Sequence, residues 1–218
     1  MRKEPDMDEQ SKLVRPENNG NKKAKRYQEN RIRSAFEYVE MFVFTMAVVI
    51  LLLTFVFRVC EVSGPSMNNT LLHGERLLVS NLFYSPDTGD VIVFHQTSET
   101  SDAFNEPIVK RVIATEGEFV KIDYAANKVY VSSDDNFTED EVLDESSYLY
   151  LSNGVWKEAN KEPQIWEVPE GHLFVMGDNR NVSADSRYYE IEFVDVRRVL
   201  GKVLLRITPF SKFGKVGG

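Results

Sequence analysis

The sequence predicts a mainly β protein: a twisted sheet or partly closed barrel with a small inserted β lobe, preceded by one N-terminal transmembrane helix. Three observations predict it. A run of 17 residues without a charge, Met41–Phe57, begins forty residues into the chain. After Ser66 come many short stretches rich in Val, Ile, Phe and Tyr, separated by turn formers. No long stretch of helical period appears among them.

The elements follow in chain order. Residues 1–34 are polar, poor in aromatics and mixed in charge, and are expected to form a disordered cytoplasmic tail. Residues 35–59 are expected to be the membrane span. At about 1.5 Å per residue the uncharged run covers roughly 26 Å, and its apolar flanks bring it close to the hydrocarbon core of about 30 Å. A buried core helix carries polar residues on one face, whereas only Thr45 and Thr54 interrupt this run. A cleaved signal peptide starts nearer the N-terminus and ends on a small-x-small site; here Arg58 and Glu61 stand in that place. Residues 21–40 carry six Lys or Arg and residues 58–77 carry two. That asymmetry predicts a type II topology, with the N-terminus in the cytoplasm and the rest outside.

The expected strands are "RLLVSNL", "DVIVFHQ", "PIVKRVIA", "EFVKIDY", "NKVYVS", "QIWEVP", "GHLFVMG" and "GKVLLRI", between Arg76 and Ile207. They define an extracytoplasmic domain over 60–210, with a lobe inserted at about 119–168 and a tail at 211–218. The acidic stretch Ser132–Ser147 reads as solvated. Asp134, Asn136 and Asp140 lack the glycine and spacing of a calcium loop.

Composition narrows the function classes. A net charge of −8 argues against nucleic acid. The single cysteine, Cys60, forms no intramolecular disulfide and no cysteine-based zinc site, and is expected to be an inert thiol at the helix end. His73, His95 and His172 form no spacing motif.

Three stretches carry possible chemistry. "SGPSMNNTL" presents Ser66 just after the span. A serine hydroxyl needs a base beside it to act as a nucleophile. "IVKRVIA" places Lys110 on one strand face with Ile108, Val112 and Ala114. Such a lysine is either desolvated, which lowers its pKa toward neutrality, or at a sheet edge. "GDNRNVSADSR" runs from Gly177 to Arg187: a turn, then alternating Asp and Arg able to tie a loop together. Taken alone it reads equally as a surface loop or as part of a site.

Together, and in this order after a membrane span, these boxes resemble the bacterial type I signal peptidase family. The resemblance covers roughly residues 35 to 207. It implies that Ser66 is the nucleophile and Lys110 the general base, that Ser183 orients the lysine, and that Asp185 and Arg187 form a structural pair. It likens Gly177, Asp178, Asn179 and Arg180 to the family's turn. It implies a membrane-bound serine endopeptidase that cuts signal-peptide-bearing preproteins after small-x-small sites, without cofactor or metal, with the lipid bilayer as the other partner. This chain departs from the family pattern at Asn69, at Ala114–Glu118 and at Asn181. Gly64 stands where some relatives carry a serine that helps the oxyanion hole, so the hole is expected to rest on the backbone N–H of Ser66. Two other readings are a self-cleaving Ser/Lys repressor, which the span disfavours, and a membrane-anchored β adaptor that binds exported chains without cutting them.

Overall fold

The structure is a computed structural model that describes residues 19–96 and 107–216. The chain divides into two units at Leu52/Leu53.

The first unit is helical. Helix α1 runs Asn19–Val56, and its last turn belongs to the second unit. Its stretch Lys25–Val56 is long and apolar enough to cross a membrane, and its most apolar window is wholly unburied. The helix starts earlier than the 35 expected from sequence. Ten of residues 22–35 are Lys, Arg, Gln, Glu or Ala, types that favour a helix. Arg33 also reaches Glu37 one turn on, at 3.2 Å. Residues 1–18 of the expected tail lie outside the described residues.

The helix ends at Val56 rather than 59, because the chain goes directly into a strand that the sequence reading did not contain. Strand β1, Phe57–Glu61, pairs antiparallel with β2, Arg76–Ser80, over its whole length. Cys60 is therefore a β1 residue, not a helix end. It packs half-buried on the core, and burial pushes its thiol pKa up.

The other strands are β3 (Val91–Phe94), β4 (Ile108–Ala114), β5 (Phe119–Asp123), β6 (Lys128–Ser132), β7 (Gln164–Glu167), β8 (His172–Met176), β9 (Val194–Asp195) and β10 (Val199–Thr208). Seven form a curled, half-closed sheet in the order β1-β2-β10-β3-β4-β8-β9, with every pair antiparallel. The inserted lobe is a second sheet, β6-β5-β7.

Strand β4 is central, between β3 and β8, with Lys110 opposite Ile92 and Arg111 opposite Met176. Its side chains enter separate parts of the core. Val109 packs with Met67, Leu71 and Val79; Val112 packs with Ile92 and Val175; Ile113 packs with Val120, Trp156 and Phe174. A polar side chain on this strand has apolar neighbours on either face and no edge to escape by.

The curl has a local cause. Strand β10 pairs with both β2 and β3 and shifts register in both ladders, and each such bulge bends and twists a strand. At Gly201, φ is 147° and a Cβ would lie 2.4 Å from the Ser80 carbonyl oxygen. Only a residue without a side chain lets β10 approach β2 so closely. In the described part of the tail expected at 211–218, Arg206 N–H donates to Gly214 O at 2.8 Å, and Lys212 lies 3.6 Å from Glu75.

Gly201→Ala should lower stability by about 1–3 kcal/mol. Thermal unfolding of the detergent-solubilised chain measures this; an unchanged midpoint would mean the close approach is not needed.

Candidate active site

Ser66 sits in a loop closed at its base by β1. Val62 N–H donates to Glu75 O at 2.8 Å, and Gly74 N–H donates to Val62 O at 2.9 Å. Within the loop, Asn68 N–H bonds Pro65 O and Leu71 N–H bonds Met67 O, giving a short helical turn. Met67 and Leu71 are fully buried and anchor that turn in the core. Ser66, one residue before the anchor, is half-exposed. Gly64 has φ of 84°, and its N–H donates to Nδ1 of His73 at 3.3 Å. That amide is thus engaged, a contact with no signal in the sequence.

Lys110 reaches the serine from β4. It is 4% exposed, and its Nζ lies 2.9 Å from Ser66 Oγ. Nζ also donates to Val109 O at 3.2 Å. Of the two settings open to a strand lysine, the central place of β4 selects the desolvated one. Burial pushes the amine pKa down; the charges of Asp185 and Asp178 pull it part of the way back, Arg187 opposes them, and the result is about 8. A sizeable neutral fraction then exists near physiological pH.

The segment 177–187 packs against the serine loop from the other side. Asn179 N–H donates to Ser66 O at 2.9 Å, and its side-chain amide donates to Pro65 O at 3.1 Å. A Cβ at Gly177 would lie 2.5 Å from Ser66 O and 2.3 Å from Ser183 Oγ, so the glycine makes room for both. Asp185 accepts from Gly177 N–H at 3.0 Å and takes Arg187 through Nε at 2.7 Å and Nη2 at 2.9 Å. Burial by itself would raise the Asp185 carboxyl. That burial is the largest single effect, but the Arg187 charge and the hydrogen bonds from Arg187, Gly177 and Ser183 together outweigh it and hold the carboxyl below its usual range. Ser183 is buried beside this pair, with Ala184 O at 3.5 Å. Among the described residues, the lysine nitrogen's side-chain partner is Ser66.

Several supporting residues had no assigned role in the sequence reading. Arg111, next to Lys110 but on the opposite face, is wholly buried and grips Asp178 through Nε at 2.9 Å and Nη2 at 2.8 Å. Thr70 of the serine loop donates to the same carboxylate. The alternation of β4 and the nearby "GDN" offered a weak signal for this pair. Glu145 offered none, because it lies in the acidic stretch read as solvated. It is instead buried and pairs with both terminal nitrogens of Arg180. Its neighbour Tyr148 lies under the Arg111 guanidinium, 3.9 Å from ring centre to Cζ. Trp156 is flanked by Arg180 and Arg187 at 5.3 and 5.0 Å. The inserted segment thus covers the arginines that hold the turn.

Asn181 also finds its reason in this segment. Its Oδ1 accepts from Lys157 N–H at 2.8 Å while its Nδ2 donates to Val155 O at 2.9 Å. An aspartate at this position supplies only the first of these bonds.

A cavity of about 120 Å³ opens beside the serine, lined by Val62, Ser63, Ile108 and Val109 together with Ser66 and Lys110. It lies well below the roughly 300–1,000 Å³ of pockets for drug-sized ligands. Its small size, with Val62, Ile108 and Val109 in a mixed polar and apolar wall, suits one small side chain next to the hydroxyl. Ser63, not Gly64, contributes to its wall.

Comparisons with known proteins give the family of the chain. The family model described as "Signal peptidase, peptidase S26" matches residues 35–208. The signal peptidase IB of Staphylococcus aureus (strain Mu50) is 33% identical over 159 residues, covering 70% of this chain and 78% of that protein. A probable signal peptidase I-1 of Synechocystis sp. is 30% identical over 191 residues, covering 83% and 86%. A crystal structure of a signal peptidase I from Enterococcus faecalis V583 is 27% identical, with a TM-score of 0.38, covering 55% of this chain and 97% of that one. With the match running from the apolar helix through β10, the chain belongs to the signal peptidase family, peptidase S26.

Proposed function

We propose that this signal peptidase cuts by a serine–lysine dyad, with Ser66 as nucleophile and Lys110 as general base, and that it removes signal peptides after small-x-small sites. Family membership makes it a peptidase acting on signal-peptide-bearing preproteins. The observation that carries the dyad is the 2.9 Å approach of a buried lysine amine to Ser66 Oγ.

In the first step the lone pair of neutral Lys110 accepts the Ser66 proton as Oγ attacks the carbonyl carbon at the cleavage site. The oxyanion is held by the backbone N–H of Ser66. Gly64 is not proposed as a second donor, since its N–H already serves His73. The lysine ammonium gives its proton to the leaving amine, the C–N bond breaks, and the mature protein departs. Lys110, neutral again, takes a proton from water, whose oxygen attacks the ester. The ester C–O bond breaks, Ser66 recovers its proton and the signal peptide is freed. Asp185 and Arg187 act as the structural pair that ties the 177–187 segment together beside the site, with the buried Ser183 next to them.

The small cavity supports the specificity. It accommodates an Ala-sized side chain, while a larger one meets Val62, Ile108 and Val109. Topology supports the substrate. With the basic residues of the first half of α1 keeping the N-terminus in the cytoplasm, the β domain stands outside, and Ser66 follows the helix end by ten residues. A preprotein held by its own signal peptide then meets the site on a shared surface, at a raised effective concentration.

Ser66→Ala and Lys110→Met should each abolish conversion of a preprotein to its mature size in detergent. A bound but uncut complex with the unaltered chain would favour the adaptor reading instead. Lys110→Met should also raise stability. The folded pKa is lowered from about 10.5 to about 8, so the unfolded chain binds more protons between these values and stability rises with pH across that window. Below about pH 8 the full cost of the buried charge is present, on the order of 1–3 kcal/mol. A thermal midpoint for Lys110→Met no higher than that of the unaltered chain at pH 7 would contradict a desolvated amine.

The dyad also fixes the sign of the pH dependence. kcat/KM should climb with pH through about 8 as Lys110 loses its proton; a rise centred near 6 would assign the base to a histidine. A panel of preproteins with Ala, Val or Phe at the residue before the cut should lose cleavage in that order, by at least tenfold at Phe. Equal cleavage across the panel would remove the small-pocket reading.

A further inference from the structure

A second cavity, of about 450 Å³, opens at the end of α1 and takes no part in the chemistry above. Its walls include Phe55, Arg58, Asn81, Leu82, Arg197 and Leu200. The pairing of β1 with β2 explains this grouping. Phe57 lies opposite Ser80, so the chain that continues as Asn81–Phe83 runs past the end of β1, alongside the last turn of the helix. The level at which an apolar helix ends is the level of lipid headgroups, where chain connectivity puts this cavity.

The lining matches that setting. Two arginines contribute to it and no carboxylate does. Arg58 makes no ion pair among the described residues. The Arg197 side chain is 89% exposed and gives Nε and Nη2 to Asp195, while Nη1 makes no hydrogen bond among the described residues. Beside the arginines the surface is apolar. Leu82 is 56% exposed and Phe83 is 98% exposed. Phe83 also holds φ of 51°, in the left-handed region that a bulky residue occupies only at a cost. A strained phenylalanine turned fully to water is unfavourable on both counts, and an apolar phase offsets the second.

The cavity shares one end of the sheet with the active site. Ile108, in the wall beside Ser66, pairs with Phe94, and Phe94 pairs with Val199, in the wall of the second cavity. Whatever fixes the depth of one row fixes the depth of the other.

We propose that this cavity holds the phosphate headgroup of an anionic phospholipid, with Arg58 and Arg197 as its ligands and Leu82 and Phe83 in the acyl region, and that this contact sets the height of Ser66 above the bilayer. It rests on the signal peptidase reading for its effect on cleavage, but not for the binding itself. A lipid rather than a soluble anion is the occupant because the cations and the exposed apolar tip adjoin the end of a membrane-length helix.

Binding is read without catalysis, on the detergent-solubilised Ser66→Ala chain, by native mass spectrometry with phosphatidylglycerol against phosphatidylcholine. The anionic lipid should be retained roughly tenfold better, and adding Arg58→Gln and Arg197→Gln should remove the preference. Equal retention of the two lipids, or a preference that survives both substitutions, would overturn the proposal. The effect on cleavage is read in vesicles. Phosphatidylcholine containing a third phosphatidylglycerol should raise cleavage of a membrane-inserted preprotein several-fold over phosphatidylcholine alone. The double variant should lose that gain while cutting a short soluble signal-peptide substrate in detergent at the unaltered rate. If inorganic phosphate in neutral vesicles reproduces the gain, the site takes free anions and the lipid assignment fails. A chain that binds phosphatidylglycerol through the two arginines yet cuts neither substrate would leave the headgroup site standing and sink the dyad.

Discussion

An amine surrounded by side chains on a central strand cannot carry its charge cheaply, and the other features of the site follow from that. Placing Lys110 at an edge of the sheet would return it to water and to a pKa near 10.5. Placing it in a wholly apolar pocket would push the pKa lower and weaken it as a base. The structure takes a middle course. Desolvation dominates, and two carboxylates at a distance restore part of the basicity. Both carboxylates are neutralised by arginines, Asp185 by Arg187 and Asp178 by Arg111, so neither holds the lysine as a salt-bridge partner. A direct Lys–Asp pair would stabilise the ammonium and remove the proposed base.

That arrangement needs charges buried in quantity, which is costly unless each is paired and hydrogen-bonded. The pairs at Asp178 and Asp185 are bidentate, and Glu145 grips Arg180 through both terminal nitrogens. The aromatic faces of Tyr148 and Trp156 cover what the carboxylates do not. These covering groups come from the inserted segment, between β6 and β7. The lobe is therefore not only an appendage of the catalytic sheet. It supplies the lid under which the arginines of the 177–187 segment are held, and that segment in turn bonds the serine loop through Asn179.

The serine loop also follows the apolar helix closely in sequence. Strand β1 starts at the residue after the helix and pairs with β2 over its whole length, and the serine loop begins where β1 ends. The arginines and the exposed apolar tip at the end of α1 belong to that same geometry.

The sequence by itself determined the apolar helix, the β class and eight of the strands, because period and composition report directly on burial of one face. It also brought Ser66, Lys110, Asp185 and Arg187 forward as ordered boxes. It missed β1, because "FRVCE" continues a helix-like apolar run and becomes a strand only through its pairing with β2. It missed Glu145, because burial of an acid inside an acidic stretch depends on an arginine 35 positions away. Whether Lys110 lay at an edge or at the centre was open until the order β3-β4-β8 enclosed it. Local pattern specifies which face a residue takes; only the long-range ladder decides what lies opposite it, and desolvation of the amine is a property of that second kind.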